Sequence, residues 1–93
     1  MQVSIEQFAK DVHNKQFRCI YEIEGVFQQE THRVSVQVDE VRQRLNLTGI
    51  DGRNTILMQS IKLDSLKEID TITHNNTSTY CLVGHDGTLL RLF

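Results

Sequence analysis

A chain of 93 residues with 39% hydrophobic content and a net charge of −2 is one small domain with apolar side chains enough for a single core. Ten Lys and Arg against twelve Asp and Glu, well mixed along the chain, point neither to a strongly basic nucleic-acid binder nor to an acidic mimic of DNA. No apolar run approaches the ~18–20 residues of a membrane span, so no membrane association is expected.

The first element predicted is a helix over 4–15. Ser4 is placed as N-cap with Gln7 three residues on, a capping box, and Val3 and Phe8 have the spacing of a hydrophobic staple. Ile5, Phe8, Ala9 and Val12 make one apolar stripe, while Glu6, Lys10, Asp11 and Asn14 take the other face. A stripe this narrow needs a sheet to lie on, because twelve isolated residues form a marginal helix.

After Gln16 the chain reads as strands. Phe17, Cys19, Tyr21 and Ile23 alternate with Arg18, Glu22 and Glu24 until Gly25 ends the run. Val34, Val36 and Val38 lie at even positions, whereas Val41, Leu45 and Leu47 lie at odd ones. Strand side chains alternate faces, so Asp39-Glu40 marks either a hairpin, with a two-residue or slightly wider turn, or a bulge in one bent strand. The hairpin would pair Val38 with Val41 and Val34 with Leu45, at the expense of Val36 against Gln43; both readings stay open. Apolar residues resume from Thr55 to Leu63, a short helical turn fits 64–68, a strand covers 69–73, and His74–Thr77 is a polar loop. The C-terminus reads as a hairpin over about 79–93. Asp86-Gly87 is the favoured dipeptide of a two-residue turn, which sets Val83 against Leu90 and Cys81 against Leu92. Both faces of that hairpin are apolar, so a central or covered position is expected. The chain lacks proline, which suits a continuous antiparallel meander. The fold class expected is therefore α+β and mostly antiparallel β. The N-terminal helix packs on a curled meander or small barrel, in a single domain over 1–93.

Chemistry-bearing patterns are sparse. Two cysteines, Cys19 and Cys81, do not make a disulfide framework, and both lie in apolar strand patterns that read as buried thiols. Cys81 and His85 have the spacing of a metal half-site, but the second tight pair of a zinc site is missing. His85-Asp86 has the residue types of an acid–base pair, yet Asp86 is committed to a turn and no nucleophile sits nearby. No phosphate-cradling loop or paired carboxylates occur. No catalytic residue, metal or cofactor is expected. The surface worth testing is basic: Arg42 and Arg44 alternate opposite Leu45 and Leu47, and with His32, Arg33 and Arg53 they could line a sheet face for phosphate or an acidic partner. The preferred reading of these residues is nevertheless the ordinary solvated side of an antiparallel strand, balanced by Asp39, Glu40 and Asp51. Phe27, just after Gly25, reads first as a core side chain; among the aromatics it is also the best placed for exposure, where it could anchor a partner. The N-terminus has neither a basic n-region nor an apolar h-region, so the cytoplasm is the expected compartment. In that setting the Asn-x-Ser/Thr triplets at Asn46, Asn75 and Asn76 are chance matches.

A capped helix running into FRCIYEIEG, followed later by IKLDSLKEIDTITH (61–74), resembles the Sm-like small barrels of the Rof family over about residues 4 to 74. Those are small bacterial proteins that inhibit the Rho termination factor. The resemblance implies a non-catalytic regulator or inhibitor of a larger bacterial protein, from a bacterium or a phage. It transfers no binding residue, since the helix carries only Glu6 and Asp11 where the family is more acidic, and the 79–93 hairpin is additional. Seven strands closed by an Asp-Gly hairpin also resemble pleckstrin-homology-like and GRAM-type domains, whose helix comes last instead of first. Three roles are thus carried forward: a protein-binding regulator, an Sm-like RNA-binding module using Arg33, Arg42, Arg44 and Arg53, and a pleckstrin-homology-like interaction domain. Pairing of sheet edges would also allow a homodimer.

Overall fold

The computed structural model describes residues 1–51 and 54–93, and the side chains of these except at 50, 51 and 54–58. In chain order the elements are α1 (Ile5–Val12), β1 (Gln16–Ile23), β2 (Val26–Asp39), β3 (Arg44–Asp51), β4 (Asn54–Lys62), a 3₁₀ turn (Leu63–Ser65), β5 (Leu66–His74), β6 (Thr77–Gly84) and β7 (Thr88–Leu92). The strands form one antiparallel sheet in the order β4-β3-β2-β1-β7-β6-β5. Its two outermost strands, β4 and β5, are consecutive in sequence and joined by only three residues. The sheet must therefore curl until its edges meet at that link. A flat sheet would be about 10 Å thick with its facing layer, whereas the molecule measures 34 × 30 × 30 Å. Bulges between Phe17 and Cys19, Tyr21 and Glu22, Leu47 and Thr48, and Leu66 and Glu68 supply the bending. The result is a partly open barrel with its seam between β4 and β5.

The core is the inner face. Phe17, Cys19, Val34, Val36, Leu45, Leu47, Ile69, Tyr80, Leu82, Leu90 and Leu92 are buried, with Phe8 and Val12 of α1 inserted among them. The helix stoppers one end of the barrel, where Phe8 meets Tyr80 edge-on at 5.3 Å and Phe17 meets Tyr80 at 5.8 Å. Ser4 caps the helix by accepting the Gln7 N–H at 3.1 Å, but the reciprocal half of the capping box is not made. Gln7 instead donates to Asp11 at 2.8 Å. The helix stops at Val12, short of the expected Lys15, because His13 leaves the helical region at ψ 129 and Asn14 follows at φ 58, a turn closed by the Lys15 N–H donating to the Val12 carbonyl at 3.2 Å. Residues before the helix continue the sheet: Val3 donates to the Ile69 carbonyl and Thr71 to that of Met1, covering part of the outer edge of β5.

Two turns correct the expected registers. Asp39-Glu40 lies at a hairpin, settling that choice, but the loop is the wider Glu40–Gln43. Asp39 Oδ1 accepts the Arg42 N–H at 3.1 Å and Gln43 adopts φ 54. Val38 then faces Leu45 and Val36 faces Leu47, which removes the Val36–Gln43 mismatch and leaves Val41 in solvent at the loop tip. In the C-terminal hairpin the loop is His85-Asp86-Gly87, one residue longer than expected. Gly87 sits at φ 87 and Thr88 N–H donates to Asp86 Oδ1 at 3.0 Å. The extra residue slides the pairing to Tyr80 with Leu92 and Leu82 with Leu90. Those four side chains turn inward and Cys81 turns outward, half-buried, contrary to the expected buried thiol.

Candidate functional site

The basic residues singled out in the sequence do not converge. Arg33 is exposed on β2, where its Nε and Nη2 both donate to Gln16 Oε1 at 3.3 Å. Arg42 sits in the β2–β3 loop with Nη1 3.5 Å from Asp39 Oδ2. Arg44 begins β3, opposite Asp39 on one side and Lys62 of β4 on the other. Six residues of β2 separate Arg33 from the level of Arg44, about 20 Å at strand rise. Arg53 lies outside the described residues. The grouping is thus Arg42, Arg44 and Lys62 at one end of the β2–β3–β4 sheet, with Arg33 remote. Lys62 escaped the sequence reading because its position opposite Arg44 depends on the β3–β4 register.

The thiols and histidines stay apart. Cys19 faces the core, and burial pushes its thiol up to about 11. Cys81 lies on the opposite face of the sheet, level with Arg91 and Asp70. Desolvation raises its pKa, Arg91 pulls it down, and Asp70 pushes it up. His85 is exposed in the loop beyond, whereas Cys81 is half-buried within β6. Among the described residues no three His, Cys, Asp or Glu side chains stand together as a metal centre.

A more coherent feature is the β1–β2 hairpin and the sheet face that adjoins it. Glu24 and Gly25, at φ 50 and φ 82, form a two-residue turn that brings Ile23 opposite Val26. Glu24 N–H donates to the Gly87 carbonyl at 3.0 Å, holding this turn against the β6–β7 turn. The tip thus fixed carries three uncovered apolar side chains: Ile23, 38% exposed, Val26, 61%, and Phe27, 59%. Beyond the tip, β3 pairs with β2 only over Val34–Asp39. Residues 26–33 therefore have β1 as their one strand neighbour among the described residues. Phe27 stands out in the sequence as an aromatic placed for exposure, but a strand over the whole of 26–33 does not, because VFQQETHR has no two-residue apolar rhythm. That lack was itself the available signal of a strand running past the core.

From Phe27 the outer face continues across the sheet. Phe27, Glu22, Leu89, Val83 and Glu68 form one row, and Ile20, Arg91, Cys81 and Asp70 the next. Ile20, Val83 and Leu89 are half-buried, while Phe93 and Ile72 at the far side are exposed. The cations between them are already satisfied: Arg18 bonds Glu30 at 3.3 Å and lies 4.9 Å over the Phe93 ring, and Arg91 lies 3.9 Å from Glu22. The β6–β7 hairpin is central in the sheet, as its apolar pattern required, but its outer face is not fully covered.

These features define a class: an α+β domain built as a partly open, seven-stranded antiparallel barrel with a helix in one end and an outer face where apolar side chains alternate with paired charges over β1, β7, β6 and β5. Among the described residues no helix is long and apolar enough to cross a membrane. Comparison with protein-family models, with curated proteins and with solved structures finds no match.

Proposed function

We propose that this protein is a non-catalytic protein-binding module, a regulator or inhibitor that docks on a larger bacterial protein through the β1–β2 hairpin tip and the adjoining outer face. The observation that carries the reading is the uncovered trio Ile23, Val26 and Phe27, set on a turn that is pinned to its neighbour. Ile23 and Val26 lie on one side of the hairpin and Phe27 on the other, so a partner that wraps the tip covers all three; exposed apolar side chains gathered at one turn of a small domain mark interaction surfaces, and an aromatic on a fixed turn presents contact area with little ordering entropy to lose. Pairing of the satisfied charges around it lowers the desolvation penalty of a partner's approach. The β6–β7 hairpin, additional to the Rof pattern, is integral to this barrel, which supports the pleckstrin-homology-like version of the same interaction role. The test is affinity capture from the native host by the wild-type chain and by a Val26→Ser, Phe27→Ser variant. A protein retained by the first and lost by the second supports docking at the tip; equal retention excludes it.

The RNA-binding reading rests on a different surface. Ser35, Gln37, Asn46 and Thr48 share the outward rows with Arg44 and Lys62, giving a polar face with cations at one end. Retention of RNA that falls steeply from low to physiological salt, and that Arg44→Gln weakens, would favour this second function. Absence of retention at low salt removes it.

A further inference from the structure

A cleft of about 240 Å³ opens along the barrel seam beside β4 and the 3₁₀ turn. Its lining is mixed: Tyr21, Ile61 and Leu66 give an apolar strip above the buried Leu82 and Leu90, among polar side chains such as Ser60 and Ser65, and Arg44 of β3 and Lys62 of β4 stand on one side. These two cations are directly opposite each other in the β3–β4 register, an arrangement that destabilises a sheet. Among the described residues neither has a carboxylate within 4.0 Å, because the nearby Asp39 carboxylate is engaged by Arg42. Two unneutralised cations beside an apolar strip complement an anion that carries an apolar tail.

We propose that the seam cleft binds a small monocarboxylate, its carboxylate held between Arg44 and Lys62 and its aliphatic tail laid on the half-buried Tyr21, Ile61 and Leu66. The charge balance selects a monoanion. Asp86 lines the opposite wall, and the hydrogen bonds it accepts from Thr88 lower its pKa and keep it ionised. Two cations and one carboxylate leave a net charge of one, which a monocarboxylate neutralises and a phosphate dianion overshoots. A cleft of about 240 Å³ has room for a short-chain carboxylate such as hexanoate. This site is separate from the hairpin tip and does not depend on the docking function.

The probe is hexanoate, titrated into the full chain and followed by amide chemical shifts. Saturable shifts confined to residues 60–66 and 82–90 are expected, with a dissociation constant of about 1 mM or below. Arg44→Gln and Lys62→Gln should each weaken binding about tenfold, the loss carried by one charge-assisted hydrogen bond. Hexan-1-ol, which keeps the tail without the charge, should bind about tenfold or more weakly. Without ligand, the same substitutions should leave the melting temperature unchanged or raised, since each relieves a like-charge contact. Absence of saturable shifts at the cleft, equal binding of hexanoate by the variants, or equal binding of hexanol would each overturn the assignment.

Discussion

Replacing Phe8 with Ala tests whether the helix is the stopper of the barrel. Phe8 is fully buried and packs edge-on against Tyr80 at 5.3 Å, which in turn packs on Phe17 at 5.8 Å. Removing the ring loses its transfer free energy, the aromatic contact and the packing around the space left, about 4 kcal/mol in all. A 93-residue domain has a total stability of about 5–14 kcal/mol, so this one substitution removes more than a quarter of it. The melting temperature should fall by about 20 °C. Urea unfolding followed by far-ultraviolet circular dichroism gives the free energy, and near-ultraviolet dichroism of the tyrosines reports the loosened Tyr80 environment. Val41→Ala, at a loop position 95% exposed, is the control and should change stability by less than about 0.5 kcal/mol. A loss below about 1 kcal/mol in Phe8→Ala would refute the stopper role, because no buried Phe in a packed core is that cheap to remove.

The two turns that abut each other predict a graded pair of effects. Gly87→Ala must hold a side chain at φ 87 and place its Cβ 2.9 Å from Glu24 Cγ, so it should lose about 2 kcal/mol in urea unfolding. Gly25→Ala faces the same left-handed strain, φ 82, with nothing within 4 Å, and should lose only about 1 kcal/mol. Cys19 links stability to alkaline pH. Its folded pKa is raised to about 11, so its contribution is fully present below the ordinary thiol range and is lost as the pH rises towards about 11. Cys19→Ala should flatten that part of the stability profile. Thiol labelling of the native protein should modify Cys81 alone, with Cys19 reacting only on unfolding, as mass mapping of the labelled peptides would show.

The helix and the inward strand residues were legible because each is a local repeat: the stripe Ile5, Phe8, Val12 at helical spacing, and Val34, Val36 or Leu45, Leu47 at strand spacing. Registers were less legible because they turn on loop length, which depends on single hydrogen bonds. Asp39 capping Arg42 widened one loop by two residues. One extra residue before Thr88 exchanged the faces of the C-terminal hairpin, moving Cys81 out and Leu90 and Leu92 in with Tyr80 and Leu82. Site residues were the least legible. The pairing of Arg44 with Lys62 arises across strands. The exposure of Val26 and Phe27 follows from where the core ends and not from their own apolar character, which equally suits burial.

The most direct test of the docking surface is quantitative capture from the native host at low salt and at about 0.5 M salt, where exposed charges are largely screened. The wild-type chain is compared with the Val26→Ser, Phe27→Ser variant, whose melting temperature should match wild type because both side chains are more than half exposed. A protein retained by wild type at both salt levels and lost by the variant is the predicted result. Equal retention by the two chains, or capture of nucleic acid alone, would contradict it.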